Sequence, residues 1–549
     1  MSLKAEAIPE VPVDTERIAH AALPPDNLCL AIRDRIGMIY RDNQFQPLFA
    51  TRGQPAECPW RLALVCILQF AENLSDRQAA NAVRTRIDWK YLLSLSLEDT
   101  GFHYSVLSEF RSRLVNGEGE HFLFEALLNH LKASGLLKAR GQQRTDSTHV
   151  LAAIRALNRL ECVGETLRHT LNSLADVAPD WLLAHSSVDW VERYGHRVED
   201  YRLPAGEQKR VAYAEVIGAD GLLLLEAIDG TDTPTWLQTL PAVDLLRQVW
   251  QQNYRVEAGR AYWRSAEQLP ASREFIGSPY DPEARYTKKR STSWVGYKVH
   301  FTETCATDLP HLITQVDTTP ATTTDDAVVS AVHQQLDARQ LLPETHLVDG
   351  GYSTAAQVLA SQHVYGIDLF GPARANYHWQ ARAGNGFAVQ DFAIDWEQQQ
   401  AVCPVGKTSI SWTPAFDNRG RAVIKVKFSL KDCRKCRCHA QCTRAPRRGL
   451  SIRPEPEYRT LQATRDRQKT EAFATRYAQR AGIEGTISQA VRAFDLRRSR
   501  YLGQAKTHLQ HVLTALAINL VRVVDWLCGY PIATTRQSRF VTLIRTASS

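Results

Sequence analysis

Apolar residues recur every three or four positions over long parts of the chain, the spacing of amphipathic helices. From Asn27 to about Lys138 this spacing predicts four or five short helices. One begins at the N-cap candidate Ser75, and a later amphipathic segment carries Arg111 and Arg113. The pattern fits either a helix-turn-helix-like DNA contact or a plain helical scaffold, and both interpretations stay open.

The pattern becomes β-like at residues 142–150, which contain Asp146. Helical spacing returns from about Ala153 to Gln268 and predicts a mainly helical insertion. Strand patterns then resume in W-V-G-Y-K-V-H-F and H-L-I-T-Q-V-D, and helices alternate with the short strands T-H-L-V and I-D-L-F. Such alternation predicts an α/β fold with a mixed or partly parallel sheet covered on both faces.

The chain divides by pattern into six parts. These are a flexible leader (1–26), a helical N-terminal domain (27–138) with DNA binding as one of its two interpretations, a sheet-containing core (139–152 with 280–372 and 458–527), a mainly helical insertion (153–279), a small cysteine-containing β insertion (373–457) and a tail (528–549).

Composition places the chain among globular proteins, with 44% hydrophobic and 23% charged residues. The N-terminal residues carry acids and prolines without an apolar segment, so neither a signal nor a transit peptide is predicted. Apolar runs are too short or too interrupted to span a membrane. Eleven cysteines without an export signal indicate a reducing compartment, with thiols that are free or metal-bound. We therefore expect a cytoplasmic protein without a membrane partner.

Positive charge is concentrated near the C-terminus. The net charge is +7, but from Lys431 to Lys506 there are 19 Lys and Arg against 7 Asp and Glu. A concentrated basic surface attracts polyanions, of which DNA is the commonest. A solvated basic helix face is the alternative interpretation.

Three carboxylates far apart in sequence stand in polar, hydroxyl-rich settings: Asp146 in R-T-D-S-T-H-V, Asp349 in H-L-V-D-G-G-Y and Glu484 in G-I-E-G-T-I-S-Q. Converging carboxylates can hold a pair of divalent cations, and oxygen ligands suit Mg²⁺ or Mn²⁺. Two such ions cut and rejoin phosphodiester bonds. Taken singly, Asp349 also fits a turn residue before two glycines, and Glu484 fits a surface ion pair with Arg480.

Four cysteines, Cys403, Cys433, Cys436 and Cys442, lie in the predicted β insertion. Four thiolates, two of them in a C-x-x-C turn, can form a tetrahedral structural zinc site that stabilises a loop-rich insertion. Cys438 or His439 is an alternative ligand, and free or redox-active thiols remain the other interpretation.

With these motifs the chain resembles the bacterial insertion-sequence transposases of the DDE class. Their third carboxylate lies in a Tyr-x2-Arg-x3-Glu-x6-Lys signature, which Tyr477, Arg480 and Glu484 match at the same spacing, while Val491 replaces the Lys. The subgroup named insertion sequence eleven-eighty-two is similar in T-D-S-T-H-V, in S-P-Y-D-P-E-A-R-Y-T-K-K-R-S-T-S-W-V-G-Y-K-V-H, in V-D-G-G-Y and in the cysteine insertion.

The resemblance implies an RNase H-like catalytic core in which Asp146, Asp349 and Glu484 are both the catalytic residues and the ligands of two Mg²⁺ or Mn²⁺ ions. It implies double-stranded DNA as partner, both as terminal inverted repeats and as target, with a homodimer in the active complex at the bacterial nucleoid. The residues expected to contact DNA are Tyr477, Arg480, Lys288, Lys289, Arg290, Lys298 and Lys506. A metal-dependent nuclease of the same fold and a catalytically inactive DNA-binding regulator are the alternative functions.

Overall fold

The computed structural model describes residues 1–418, 420–531, 539 and 543. The N-terminal region is helical, as the apolar spacing predicted, and Ser75 caps its fourth helix by accepting a hydrogen bond from the backbone N–H of Gln78 at 3.4 Å. The α-helices of this region are α1 (Val13–Ala22), α2 (Leu28–Ala31), α3 (Pro59–Ala71), α4 (Asp76–Thr85), α5 (Ile87–Leu92), α6 (Ser105–Asn116) and α7 (Gly119–Ala133).

The first 26 residues are not loose throughout, and the predicted leader is corrected here. Thr15 and Ala19 lie four residues apart on one face of α1, and both are fully buried. The Thr15 hydroxyl donates to the carbonyl of Leu95 at 2.9 Å, and the ring of His20 lies edge-on against Tyr91 of α5. Burial of this face ties the helix to the rest of the N-terminal region.

Strand β1 (Gln142–Leu151) carries Asp146 and is followed by a helical insertion with a hydrophobic core of its own. Its elements are α8 (Arg159–Val177), α9 (Pro179–His185), α10 (Asp189–Tyr194), α11 (Glu207–Ile228), α12 (Thr235–Gln238), α13 (Pro241–Asn253) and the hairpin β2 (Tyr254–Glu257) and β3 (Arg260–Trp263).

The chain then returns to the main sheet through β4 (Arg285–Lys289), β5 (Thr292–Thr304), β6 (Ile313–Pro320), α14 (Val329–Ala338), β7 (Thr345–Val348), α15 (Ala355–Tyr365) and β8 (Asp368–Phe370). The strand order is β4-β5-β1-β7-β8, and β6 also pairs with β5. β1 runs antiparallel to β5 and parallel to β7, which runs parallel to β8. The predicted α/β fold with a mixed sheet is confirmed.

The cysteine-containing segment has a small core and a sheet of three antiparallel strands. Its elements are α16 (Trp379–Arg382), β9 (Ala393–Asp395), β10 (Gln400–Val402), β11 (Ser411–Phe416), β12 (Ala422–Lys427), α17 (Leu430–Arg434), α18 (His439–Cys442) and β13 (Gly449–Ile452).

The C-terminal helices are α19 (Glu455–Gln468), α20 (Glu471–Ala478), α21 (Gly482–Ala493) and α22 (Gln504–Leu527). Helix α22 is largely buried and packs against both β6 and α3, so it joins the N-terminal helices to the sheet. Asn519 hydrogen-bonds the backbone N–H and carbonyl of Ile313, each at 2.8 Å, and so satisfies polar groups at the start of β6.

No helix in the described ranges is long and apolar enough to cross a membrane. The tail predicted for 528–549 lies outside the described residues beyond position 531, apart from positions 539 and 543.

Candidate active site

Parallel pairing of β1 with β7 brings two of the predicted carboxylates to neighbouring positions. Thr145 is the register partner of Val348, the last residue of β7, so Asp146 within β1 and Asp349 directly after β7 occupy neighbouring positions. Asp349 is the first residue after β7 and accepts a hydrogen bond from the backbone N–H of Gly351 at 2.7 Å. The carboxyl ends of parallel strands are where ligands of open α/β sheets bind.

Glu484 lies on α21 and is linked to Asp146 through the side chain of Arg480. The Arg480 guanidinium donates to Glu484 Oε1 and to Asp146 Oδ2, each at 2.8 Å. The side chains of Arg480 and Asp146 are only 12% and 16% exposed, whereas that of Glu484 is 63% exposed. Residues 334 positions apart in sequence are therefore joined by one buried ion pair.

The electrostatic environment of Asp146 depends on both other carboxylates. Burial raises the pKa of Asp146 to about 6, and the negative charges of Asp349 and Glu484 act in the same direction. Arg480 and the backbone N–H of Ser147 oppose the rise. Mutual repulsion among carboxylates is the condition that a bound cation relieves.

The donor set suits Mg²⁺ or Mn²⁺, because it consists of carboxylate oxygens. Across residues 1–418 and 420–531, however, no group of three or more His, Cys, Asp or Glu side chains is arranged to hold a metal ion. The guanidinium of Arg480 lies between Asp146 and Glu484 and supplies the positive charge there. The side chains present fit a divalent cation in chemistry, and coordination by Asp146 and Glu484 requires Arg480 to leave them.

A buried ion-pair network that the sequence did not reveal fixes α21 to the sheet. Glu303 of β5 is fully buried and binds Arg144 at 2.7 Å, Arg522 at 2.9 Å and the hydroxyl of Thr486 at 2.6 Å. Burial alone would raise the pKa of Glu303, but Arg522 and Arg144 hold it below its ordinary value. Arg144 stands two residues before Asp146 and also donates to the Gln479 carbonyl at 2.6 Å. The network therefore connects β1, which carries Asp146, to the helical segment that carries Arg480 and Glu484.

The predicted DNA-contacting residues lie in different environments. Lys288, Lys289 and Arg290 are exposed on the β4–β5 hairpin. Lys298 is instead 12% exposed and paired with Asp325 at 3.0 Å, so the structure gives it an internal partner rather than an open phosphate-binding position. Lys506 is exposed near the start of α22, beside α6.

The residues of the signature around Glu484 are mostly committed to internal contacts. The half-buried ring of Tyr477 stacks on Phe473, with centroids 5.4 Å apart. Val491, at the position of the signature Lys, packs against the main core. Arg480 contacts carboxylates in this structure, as described above.

The helix-turn-helix-like contact proposed for α6 is not supported at Arg111. Its side chain is 7% exposed and pairs with Asp76 at 2.6 Å, and it also donates to Gln69. Arg113 donates to the Leu48 carbonyl and lies over the Phe49 ring. Both arginines therefore bind within the helical region, because long-range partners that the local pattern did not show are available there.

The four predicted zinc ligands line one cavity of ≈ 40 Å³, together with Cys438 and His439. Burial raises the pKa of the Cys442 thiol to about 11, and the charges of the other three cysteines add to the rise. Within the described part of the chain, His439 Nε2 is buried without a hydrogen-bond partner. The thiols are free and, as stated above, are not arranged for coordination.

Two protein-family models match separate parts of the chain. Residues 402–524 match the family model described as Transposase DDE domain, and residues 17–113 match Transposase domain (DUF772). The first range includes Glu484 and the four cysteines, and the second includes most of the N-terminal helices. Neither a curated protein nor a solved structure matches the chain. The two family matches support a transposase of the DDE type, an enzyme class that acts on DNA and in general uses divalent metal ions.

Proposed function

We propose that the chain is a DNA transposase of an insertion sequence. It binds the terminal inverted repeats, cleaves at the element ends and joins the 3′-hydroxyls to target DNA. The observation that carries this proposal is that Asp146, within β1, lies next to Asp349, the first residue after the parallel strand β7, with Glu484 linked to Asp146 through Arg480. The family matches support the same enzyme class.

The core proposed here is RNase H-like. In the sheet path β6-β5-β1-β7-β8, the first of these strands in sequence carries Asp146 and the fourth is followed by Asp349, while Glu484 comes from a later helix. That is the placement expected from the resemblance to DDE enzymes, in the Tyr-Arg-Glu subclass similar to insertion sequence eleven-eighty-two. The domain limits derived from the sequence pattern, other than the corrected leader 1–26, are part of this proposal.

In the proposed mechanism the chain contributes a charged, oxygen-rich pocket at the sheet edge. Asp146, Asp349 and Glu484 would hold two Mg²⁺ or Mn²⁺ ions, which supply activation of the attacking water or 3′-hydroxyl and stabilisation of the leaving oxygen. Arg480 moves from the carboxylates to the DNA backbone, where a guanidinium suits bidentate phosphate contact. Tyr477, the exposed hairpin residues Lys288, Lys289 and Arg290, and Lys506 remain proposed DNA contacts.

Two further elements belong to the proposal. The cysteine cavity is proposed to hold one structural Zn²⁺ through Cys403, Cys433, Cys436 and Cys442, with the buried, unpartnered His439 Nε2 as the alternative donor, and binding would require these side chains to close around the ion. Joining two element ends requires two active sites, so a homodimer is the proposed active complex. Its place of action would be the bacterial nucleoid.

The test is a strand-transfer assay with pre-cut element ends, a target plasmid and Mg²⁺. Joined product with the wild type and none with Asp146→Asn supports transposition. Asp220→Asn is the matched control, because Asp220 is a similarly buried carboxylate paired with Arg193 in the helical insertion. With uncut element ends as a second substrate, cutting without joining would identify a nuclease, whereas DNA binding without cutting would identify a catalytically inactive regulator.

A further inference from the structure

Two consecutive carboxylates, Asp325 and Asp326, lie in the short 3-10 turn after β6 and beside the candidate active site. Their side chains are 11% and 14% exposed, although the turn itself is at the surface. Asp325 pairs with Lys298, whereas Asp326 pairs with Arg374. Neither residue was singled out by the sequence patterns.

Asp325 lies beside both segments that carry the proposed catalytic aspartates. It accepts a hydrogen bond from the hydroxyl of Ser147, the residue after Asp146, at 3.4 Å. A Cβ placed at Gly351 would lie 3.0 Å from Asp325 Oδ2 and 2.8 Å from Asp349 Oδ1. Only glycine fits between these carboxylates without displacing one of them.

Two lysines face Asp325, the exposed Lys289 at 3.8 Å and the nearly buried Lys298, which makes the closer pair. The Lys298 ammonium lies 3.0 Å from Asp325 Oδ1 and donates to the Thr323 carbonyl at 2.7 Å. With both side chains nearly buried, the pair is weakly screened by solvent. Lys298 therefore balances the Asp325 charge and fixes the turn to β5.

Asp326 acts on the same loop from the other side, through Arg374. The Arg374 guanidinium lies 3.0 Å from Asp326 and donates to the carbonyls of Gly350 at 3.2 Å and Gly351 at 2.7 Å. Two successive glycines give the backbone after Asp349 wide conformational freedom. The hydrogen bonds from Arg374 to both carbonyls restrict this conformational freedom.

We infer that Asp325 and Asp326 are positioning residues for the loop 349–351, Asp325 by packing between Ser147 and Gly351 and Asp326 through Arg374. This inference rests on the proposed function, because the position of the loop matters only if the aspartates act together. Groups that orient metal ligands without binding the metal typically change metal affinity 10–100-fold when they are altered. Because Lys298 is paired with Asp325, its role in this inference lies inside the protein instead of at the DNA.

The experiment compares full-length wild type with Asp325→Asn, Asp326→Asn and Lys298→Arg. Asparagine keeps the size of the side chain and removes its charge, whereas arginine keeps the cation that faces Asp325. Asp220→Asn in the helical insertion is the control for loss of a buried ion pair elsewhere. Hydrogen–deuterium exchange of the loop 349–354 and calorimetric Mn²⁺ affinity are measured for each protein.

For Asp325→Asn and Asp326→Asn we expect faster exchange in 349–354, unchanged exchange in β7 and Mn²⁺ affinity weakened about tenfold or more. Lys298→Arg should preserve both properties, and so should Asp220→Asn. Unchanged loop exchange overturns the inference, as does faster exchange with unaltered Mn²⁺ affinity. If the wild type binds no Mn²⁺, the proposed function fails, and loop exchange alone then decides whether the carboxylates restrain the loop.

Discussion

Replacement of Arg480 tests how the carboxylates are kept together when no cation is bound. Arg480→Gln removes the guanidinium that binds both Asp146 and Glu484 at 2.8 Å. Its pair with the exposed Glu484 contributes only about 0–1 kcal/mol. Its pair with Asp146 is nearly buried, so loss of one partner leaves an uncompensated charge and costs about 3–5 kcal/mol. The metal-free variant should therefore unfold at a clearly lower temperature.

Divalent cations should reverse this loss. In the wild type, coordination by Asp146 has to displace Arg480, whereas in the variant the carboxylate is already free of its partner. We expect Mn²⁺ to bind Arg480→Gln more tightly and to raise its unfolding temperature more than that of the wild type, since a ligand stabilises the state that binds it.

The assay is differential scanning calorimetry at neutral pH, with and without saturating Mn²⁺. Arg476→Gln is the matched control, because Arg476 lies one helical turn earlier and pairs with Asp368 instead of the site carboxylates. Equal Mn²⁺ shifts in the wild type and both variants would refute the idea that Arg480 and the cation compete for Asp146.

Three other predictions concern stability, pH and metal content. Asp146→Asn should abolish cleavage; because the folded-state pKa of Asp146, about 6, lies above the ordinary 3.8, the metal-free wild type should lose about 3 kcal/mol of stability as pH rises from 3.8 through 6, and the variant should lack this pH dependence, which urea unfolding measures. Glu303→Gln should destabilise the core by about 3–5 kcal/mol. Because the pKa of Glu303 is lowered by folding, its contribution is present above its ordinary value of 4.5 and is lost as pH falls through the folded pKa, which acid unfolding followed by circular dichroism will show. Elemental analysis should find about one zinc per chain, much less in Cys433→Ser/Cys436→Ser and no change in Cys528→Ser; a metal-free wild type would contradict the zinc site.

Local sequence pattern was enough to place the strands that carry the two aspartates. The segment containing Asp146 and the short apolar strand before Asp349 were both recognisable because strand formation depends largely on neighbouring residues. The mixed sheet followed from the alternation of strands and helices. Pairing of β1 with β7, which sets Asp146 beside Asp349, became visible only in the fold.

Long-range partners explain what the sequence did not show. The Arg480–Glu484 ion pair follows from helical spacing and was foreseen as an alternative, but the link from Arg480 to Asp146 depends on packing across the domain. Arg111 and Lys298 carry the charge that a DNA contact needs, but each is paired inside the protein, with Asp76 and Asp325 respectively. A basic residue in an amphipathic pattern does not reveal whether its charge is met inside the protein.

The central claim is that Asp146, Asp349 and Glu484 jointly hold divalent cations at the edge of the sheet. It is tested most directly by anomalous diffraction from crystals of the protein with element-end DNA and Mn²⁺. The account predicts two manganese peaks among these three carboxylates, with Arg480 turned away from Asp146. Manganese bound elsewhere, or none at this edge while Arg480 still bridges Asp146 and Glu484, would contradict it.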